Sequence, residues 1–269
     1  MSRVLANGAS LHYEEAGQGS PVVLVHGGLC DSEEWGPVVS YLSAGHRVIA
    51  YSRRNAHPNE VRARVPWGIG EHAADLADLI VELSAAPAHL VGESYGAFVA
   101  LECTMRHPEL VRSLAIDEPP IPSLLVSPAD APLRGEFESV LAEARTSLEA
   151  RDPDRAVRHV IDYVEGRRDA YSSLPPSVRA TILRNAEAFR LELEAGLPTV
   201  SPADLRRLAL PTLLMTSTVG PRALARVTAV VAEAIPGSRL FPVPGTTHGS
   251  LIFSPDYVRI VERFLGAPS

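Results

Sequence analysis

Six short apolar runs, spaced by helix-length intervals, restrict this chain more than any other feature. They are PVVLV (21–25), HRVIAY (46–51), AHLVG (88–92), RSLAI (112–116), PTLLMT (211–216) and SRLFPV (238–243). Several are apolar at consecutive positions instead of alternating, the pattern of strands covered on both faces in a parallel sheet. Between them, Leu76, Leu79, Ile80 and Leu83 mark one helix face in 70–84. SYGAFVALECTMRHPE reads as a second helix, stopped at His107-Pro108, and 221–235 and 255–265 as two more. Alternation of this kind predicts an α/β fold with a mostly parallel sheet and right-handed crossovers. Asn7-Gly8 adds a hairpin at the start.

One interval has no strand-like run. In 119–207 the apolar residues fall in three helical stripes: 137–148, 157–164 and 178–193. This predicts a core of residues 1–118 and 208–269, with 119–207 inserted as a helical cap. The 269 residues suffice for that arrangement. With 46% hydrophobic residues, a net charge of −7 and no run of 18 apolar positions, neither a nucleic-acid nor a membrane partner is expected. The N-terminus lacks a secretory apolar segment, and two cysteines build no disulfide framework, so the expected location is cytoplasmic. All 25 basic residues are arginine. P-loop nucleotide chemistry and Schiff-base chemistry, which both use lysine, are thereby excluded.

The stretch HLVGESYGAFVAL carries the chemistry. Gly92-Glu93-Ser94-Tyr95-Gly96 fits G-x-S-x-G between an apolar run and a helix. Two glycines permit a tight turn that lifts the Ser94 hydroxyl clear at the positive end of the following helix. VLVHGGLCDSEEW follows the first core run. Its glycines expose backbone N–H groups, so the expected oxyanion donors are the amides of Gly28 and Tyr95. His26 reads as a loop brace, and Cys30 as a pocket-lining thiol. His248 stands in PVPGTTHGSLIFSP, after the last run, placed to take a proton from Ser94 and return it to a leaving group. Trp35, Trp67, Tyr95, Leu125, Phe137 and Leu251 are candidate pocket walls.

These residues, in this order, resemble the α/β-hydrolase superfamily, in the serine-nucleophile branch with a helical cap. The serine separates the chain from the aspartate-nucleophile branches. The resemblance implies a Ser, acid, His order and an acid after the run at 211–216. There the sequence departs: Gly220 stands at the usual acid position, and 205–232 holds no Asp or Glu. Asp204 precedes the run, at its wrong end. Asp117 and Glu118, in RSLAIDEPPIPSLL, lie instead at the carboxyl end of the neighbouring run. The Glu-Pro-Pro turn is similar to that of a group of bacterial hydrolases and, in acid placement, to zearalenone lactonases, which favours Glu118 over Asp117. Glu93 reads as a hydrogen-bonding neighbour of the site, and Ser52-Arg53-Arg54-Asn55 as structural.

The resemblance implies a Ser94-His248-Glu118 triad that cleaves a small-molecule ester or lactone without metal or organic cofactor. Two other uses of the same fold stay open: lyase, cyclase or cofactor-free oxygenase chemistry with His248 as base, and ligand binding without turnover. The oligomeric state stays open as well, a homodimer included.

Overall fold

The computed structural model describes residues 2–61 and 67–266. Met1 and 267–269, at the outer limits of the expected core, lie outside the described residues. Eight strands form one sheet: β1 (Ser2–Ala6), β2 (Ala9–Ala16), β3 (Ser20–Val25), β4 (His46–Tyr51), β5 (Ala88–Glu93), β6 (Val111–Asp117), β7 (Thr212–Ser217) and β8 (Arg239–Val243). Their order is β1-β2-β4-β3-β5-β6-β7-β8. β1 and β2 pair antiparallel around Asn7-Gly8, β2 joins β4 antiparallel, and every later pairing is parallel. This is the α/β-hydrolase architecture.

The unbroken apolar runs have a plain cause. In β3, Val22 and Leu24 face one core while Val23 and Val25 face the other. The Val23 and Val25 side is covered by α2 (Ile69–Glu82), α3 (Tyr95–Arg106) and α10 (Arg222–Ala234), through Leu76, Phe98 and Val227. The Val22 and Leu24 side is covered by α1 (Gly36–Leu42) and α11 (Pro255–Leu265), through Val38, Tyr257 and Val261. No helix among the described residues is long and apolar enough to cross a membrane.

Between β6 and β7 the chain forms six α-helices and no strand: α4 (Ala131–Glu149), α5 (Pro153–Val164), α6 (Ala170–Ser173), α7 (Pro176–Arg184), α8 (Ala186–Ala195) and α9 (Pro202–Leu205). Ala144, Val157, Tyr171, Ile182 and Phe189 make a small core of their own, joined by Leu29 from the loop after β3. The single stripe read at 178–193 is in fact two helices. Asn185 separates them, because its amide is drawn into the underlying loops: Oδ1 accepts from the His57 amide at 2.8 Å and Nδ2 donates to Asp31 at 2.8 Å. Arg184 donates to the same Asp31 oxygen at 2.8 and 3.0 Å. These bonds fasten the helical insertion to the loop that follows β3.

Candidate active site

β5 runs straight into the serine turn. Ser94 sits at φ 51°, ψ −118°, a conformation costly for a side chain with a Cβ and characteristic of functional turns. The geometry needs its glycines: a Cβ on Gly96 would stand 2.1 Å from the Val25 carbonyl oxygen, and one on Gly92 2.7 Å from that of Gly96. With those positions bare, α3 approaches β3 closely and directs its positive end at Ser94. The Ser94 amide is tied to the Asp117 carbonyl at 2.9 Å, which joins this turn to the end of β6.

That end of β6 carries the two candidate acids, and the structure separates them sharply. Glu118 Oε2 accepts from His248 Nδ1 at 2.6 Å. Its other oxygen accepts from Thr216 Oγ1 (2.7 Å), the Ser217 amide (2.8 Å) and Ser217 Oγ (2.8 Å), all from β7. Burial alone would raise the Glu118 pKa. The bond to His248, the imidazolium charge and the Thr216 and Ser217 donors outweigh it, so the carboxyl is held below its ordinary value. Asp117 instead points to the opposite side of the sheet, where Oδ1 accepts from Tyr257 Oη at 2.9 Å and Oδ2 has no partner. Burial, reinforced by the charge of Glu93, pushes its pKa well up. Glu118 is also the strained one of the two, at φ 43°.

The vacancy at Gly220 now has a physical account. A Cβ there would lie 2.3 Å from Ser217 Oγ and 3.2 Å from the His248 amide nitrogen. The space past β7 is filled by the hydroxyls that serve Glu118, and no side chain fits. The turn at 218–219 is braced against the His248 loop, since the Thr218 and Val219 amides both donate to the Thr246 carbonyl.

His248 is buried. Burial would lower its pKa, yet the Glu118 bond and charge, with help from Glu93 and Asp117, push it up to about 9. Its Nε2 faces Glu93 Oε1 at 3.5 Å. Among the described residues no hydrogen bond links Ser94 Oγ to His248; both border the same cavity. Such bonds are often long in unliganded sites and tighten when substrate binds.

The cavity holds about 410 Å³ between the sheet and the helical insertion. Gly28 and Tyr95, whose amides were expected as oxyanion donors, both border it beside Ser94. Tyr95 and Phe137 stand in the wall as expected. Trp35, Leu125 and Leu251 do not: they are core residues. Trp67 lies under the Arg54 guanidinium at 4.0 Å. His26 braces its loop, with Nδ1 at 2.8 Å from the Gly27 carbonyl and Nε2 accepting from the Arg53 amide. Cys30 borders the cavity, and burial drives its thiol well above the ordinary range, away from nucleophilic chemistry.

A further pair escaped the sequence reading. Arg53 is almost wholly buried and donates to Glu192 Oε1 of α8 at 2.5 Å, while also holding the carbonyls of His26 and Gly27. The two residues are 139 positions apart, and only the Arg-Arg sequence after β4 hinted at either.

Residues 20–255 match the family model of the alpha/beta hydrolase fold, most of the chain. The chain belongs to the α/β-hydrolase family. Among curated relatives, the pimeloyl-[acyl-carrier protein] methyl ester esterase of Aeromonas hydrophila is 27% identical over 282 aligned positions, covering 96% of this chain and all of the relative. The uncharacterized hydrolase YraK of Bacillus subtilis is 31% identical over 119 residues, 44% of each protein, so this chain aligns with less than half of that relative's length. Among solved structures, the enol-lactonase of Burkholderia xenovorans superposes with a TM-score of 0.77 at 22% identity, covering 99% of this chain and 100% of that one. The carboxylesterase CesB of Bacillus subtilis gives 0.78 at 21% identity, covering 100% and 92%.

Proposed function

We propose that the protein is a cofactor-free serine hydrolase of a small-molecule ester or lactone. The observation that carries this reading is the 2.6 Å contact between His248 and Glu118, with the strained Ser94 on the same cavity. The relatives named above as esterases and as an enol-lactonase support it.

In this reading Ser94 Oγ attacks the substrate carbonyl as His248 Nε2 takes its proton. Glu118 fixes the imidazole with Nδ1–H toward the carboxylate and stabilises the cation as it forms. The Gly28 and Tyr95 amides receive the oxyanion; losing one such donor typically costs ~100- to 1,000-fold in rate. His248 then gives the proton to the leaving oxygen. Water, deprotonated by the same nitrogen, releases the acid and restores Ser94. The helical insertion, 119–207, acts as the cap that shapes the acyl pocket.

The test is labelling by a fluorophosphonate followed by peptide mass spectrometry, beside hydrolysis of p-nitrophenyl acetate. A single adduct on Ser94, with labelling and turnover both abolished in Ser94→Ala, is expected. One observation favours a second reading, in which His248 acts as a base without acyl transfer: its Nε2 faces Glu93 and makes no bond to Ser94. Turnover that survives Ser94→Ala would select that reading.

A further inference from the structure

α5 borders the cavity along its side, through Val160, Ile161 and Val164. The next residue, Glu165, closes the helix, its amide donating to the Ile161 carbonyl at 3.0 Å. Its carboxylate turns to the His248 loop and meets both neighbours of the histidine. Oε2 accepts from Thr247 Oγ1 at 2.8 Å. Oε1 lies where a side chain at 249 would begin. A Cβ on Gly249 would stand 2.3 Å from that oxygen and 3.5 Å from Glu165 Cδ. Apart from its chain neighbours, it would meet nothing else of the described residues within 4 Å. Gly249 is not in the left-handed region, so its backbone makes no demand for glycine. The Glu165 carboxylate makes that demand.

The surroundings make this a junction of three segments. The Thr247 amide donates to Ser250 Oγ at 2.8 Å, and its hydroxyl lies 2.9 Å from the same oxygen. The stem of the loop is held by the turn past β7, whose Thr218 and Val219 amides donate to the Thr246 carbonyl. α5 ends against that turn as well: a Cβ on Gly166 would stand 2.9 Å from the Val219 carbonyl oxygen. The imidazole itself is anchored at one end only, by Nδ1 on Glu118 at 2.6 Å. With that end fixed, the backbone of 247–249 decides where Nε2 points.

We propose that Glu165 is a positioning residue of the reaction: through Thr247 and the space left at Gly249 it aims His248 Nε2, and it ties that aim to α5 in the cavity wall. This rests on the serine-hydrolase reading and adds to it the residue that sets the base. Glu165 touches neither the imidazole nor Ser94, so it acts through the loop.

The test measures kcat and KM for p-nitrophenyl acetate, with active sites counted by fluorophosphonate titration so that misfolded enzyme does not enter the rate. Glu165→Ala and Thr247→Val are each expected to lower kcat about 10- to 100-fold, the range for a reacting group displaced by about an ångström. KM is expected to change little, and the pH limb of kcat/KM to stay in place. Glu165→Gln keeps an oxygen for the Thr247 hydroxyl and is expected to recover most of the loss. Gly249→Ala puts a methyl in the place of the carboxylate, so it is expected to lower kcat by a similar factor alone. In the Glu165→Ala background that place is open, and the methyl is expected to cost nothing further. A general loosening of the loop would make the two losses add. If Ser94 takes the label but kcat of Glu165→Ala stays within about twofold of wild type, or if the two losses add, the positioning role is overturned and the hydrolase reading stands. If Ser94 takes no label in the wild type, the hydrolase reading fails and the positioning role with it.

Discussion

At the scale of single residues, the electrostatics of His248 decide when the site works. In the proposed mechanism the free imidazole must be neutral to accept the Ser94 proton, and Glu118 and Glu93 hold its pKa up to about 9. Hence kcat/KM is expected to climb about tenfold per pH unit toward pH 9 and to level above it. Glu93→Gln removes the carboxyl 3.5 Å from Nε2, so the limb is expected to move to lower pH. An unmoved limb in a pH–rate profile of that variant would show that Glu93 does not act on His248. Stability carries the opposite sign. The folded pKa stands above the ordinary 6.5, so the stabilisation linked to this histidine is full below that value and is lost as pH rises through about 9.

At the scale of elements, the site depends on which strand end carries the acid. β6 presents Glu118, and β7, the usual donor of the acid in this family, presents Thr216 and Ser217 hydroxyls to it. Gly220→Ala tests that exchange. Its methyl would enter the space of Ser217 Oγ, so a loss of about 1–3 kcal/mol is expected in urea unfolding, with a matching fall in turnover. An unchanged midpoint and rate would mean that the turn past β7 tolerates a side chain. The sequence foretold much at this scale, because strand positions buried on both faces are apolar in succession: HRVIAY, which ends in four buried apolar residues, and the strand His46–Tyr51 coincide. It also located the departure at Gly220, since an absent acid is visible in letters. It could not explain it, because the Ser217 clash is between neighbours in space. The seven-residue helix α1 went unread: it turns only Val38 and Leu42 into the core, too few positions to show a period. The break at Asn185 was hidden for the opposite reason, as the apolar stripe continues across it and only the bonds to Asp31 and His57 interrupt the helix.

At the scale of the whole molecule, the pieces that meet at the cavity come from far apart in the chain. Ser94 follows β5, Glu118 ends β6, His248 follows β8, and Glu192 hangs from the insertion above them. The parallel pairing of β5, β6, β7 and β8 sets their carboxyl ends, and the first three residues with them, along one end of the sheet. Arg53 and the Asp31 cluster bind the insertion to the loops after β3 and β4. Contacts of that kind have no local pattern, which is why Arg53 and Glu192 were invisible as a pair while Ser94 and His248, each in a glycine-marked turn, were not. In the proposed mechanism Glu118, and not its neighbour Asp117, orients the histidine. The most direct measurement compares kcat for p-nitrophenyl acetate in Glu118→Gln and Asp117→Asn, both verified as folded by circular dichroism. A fall of roughly 10⁴-fold for the first and less than tenfold for the second is the expected result. Equal and small losses, or a larger loss for Asp117→Asn, would contradict it.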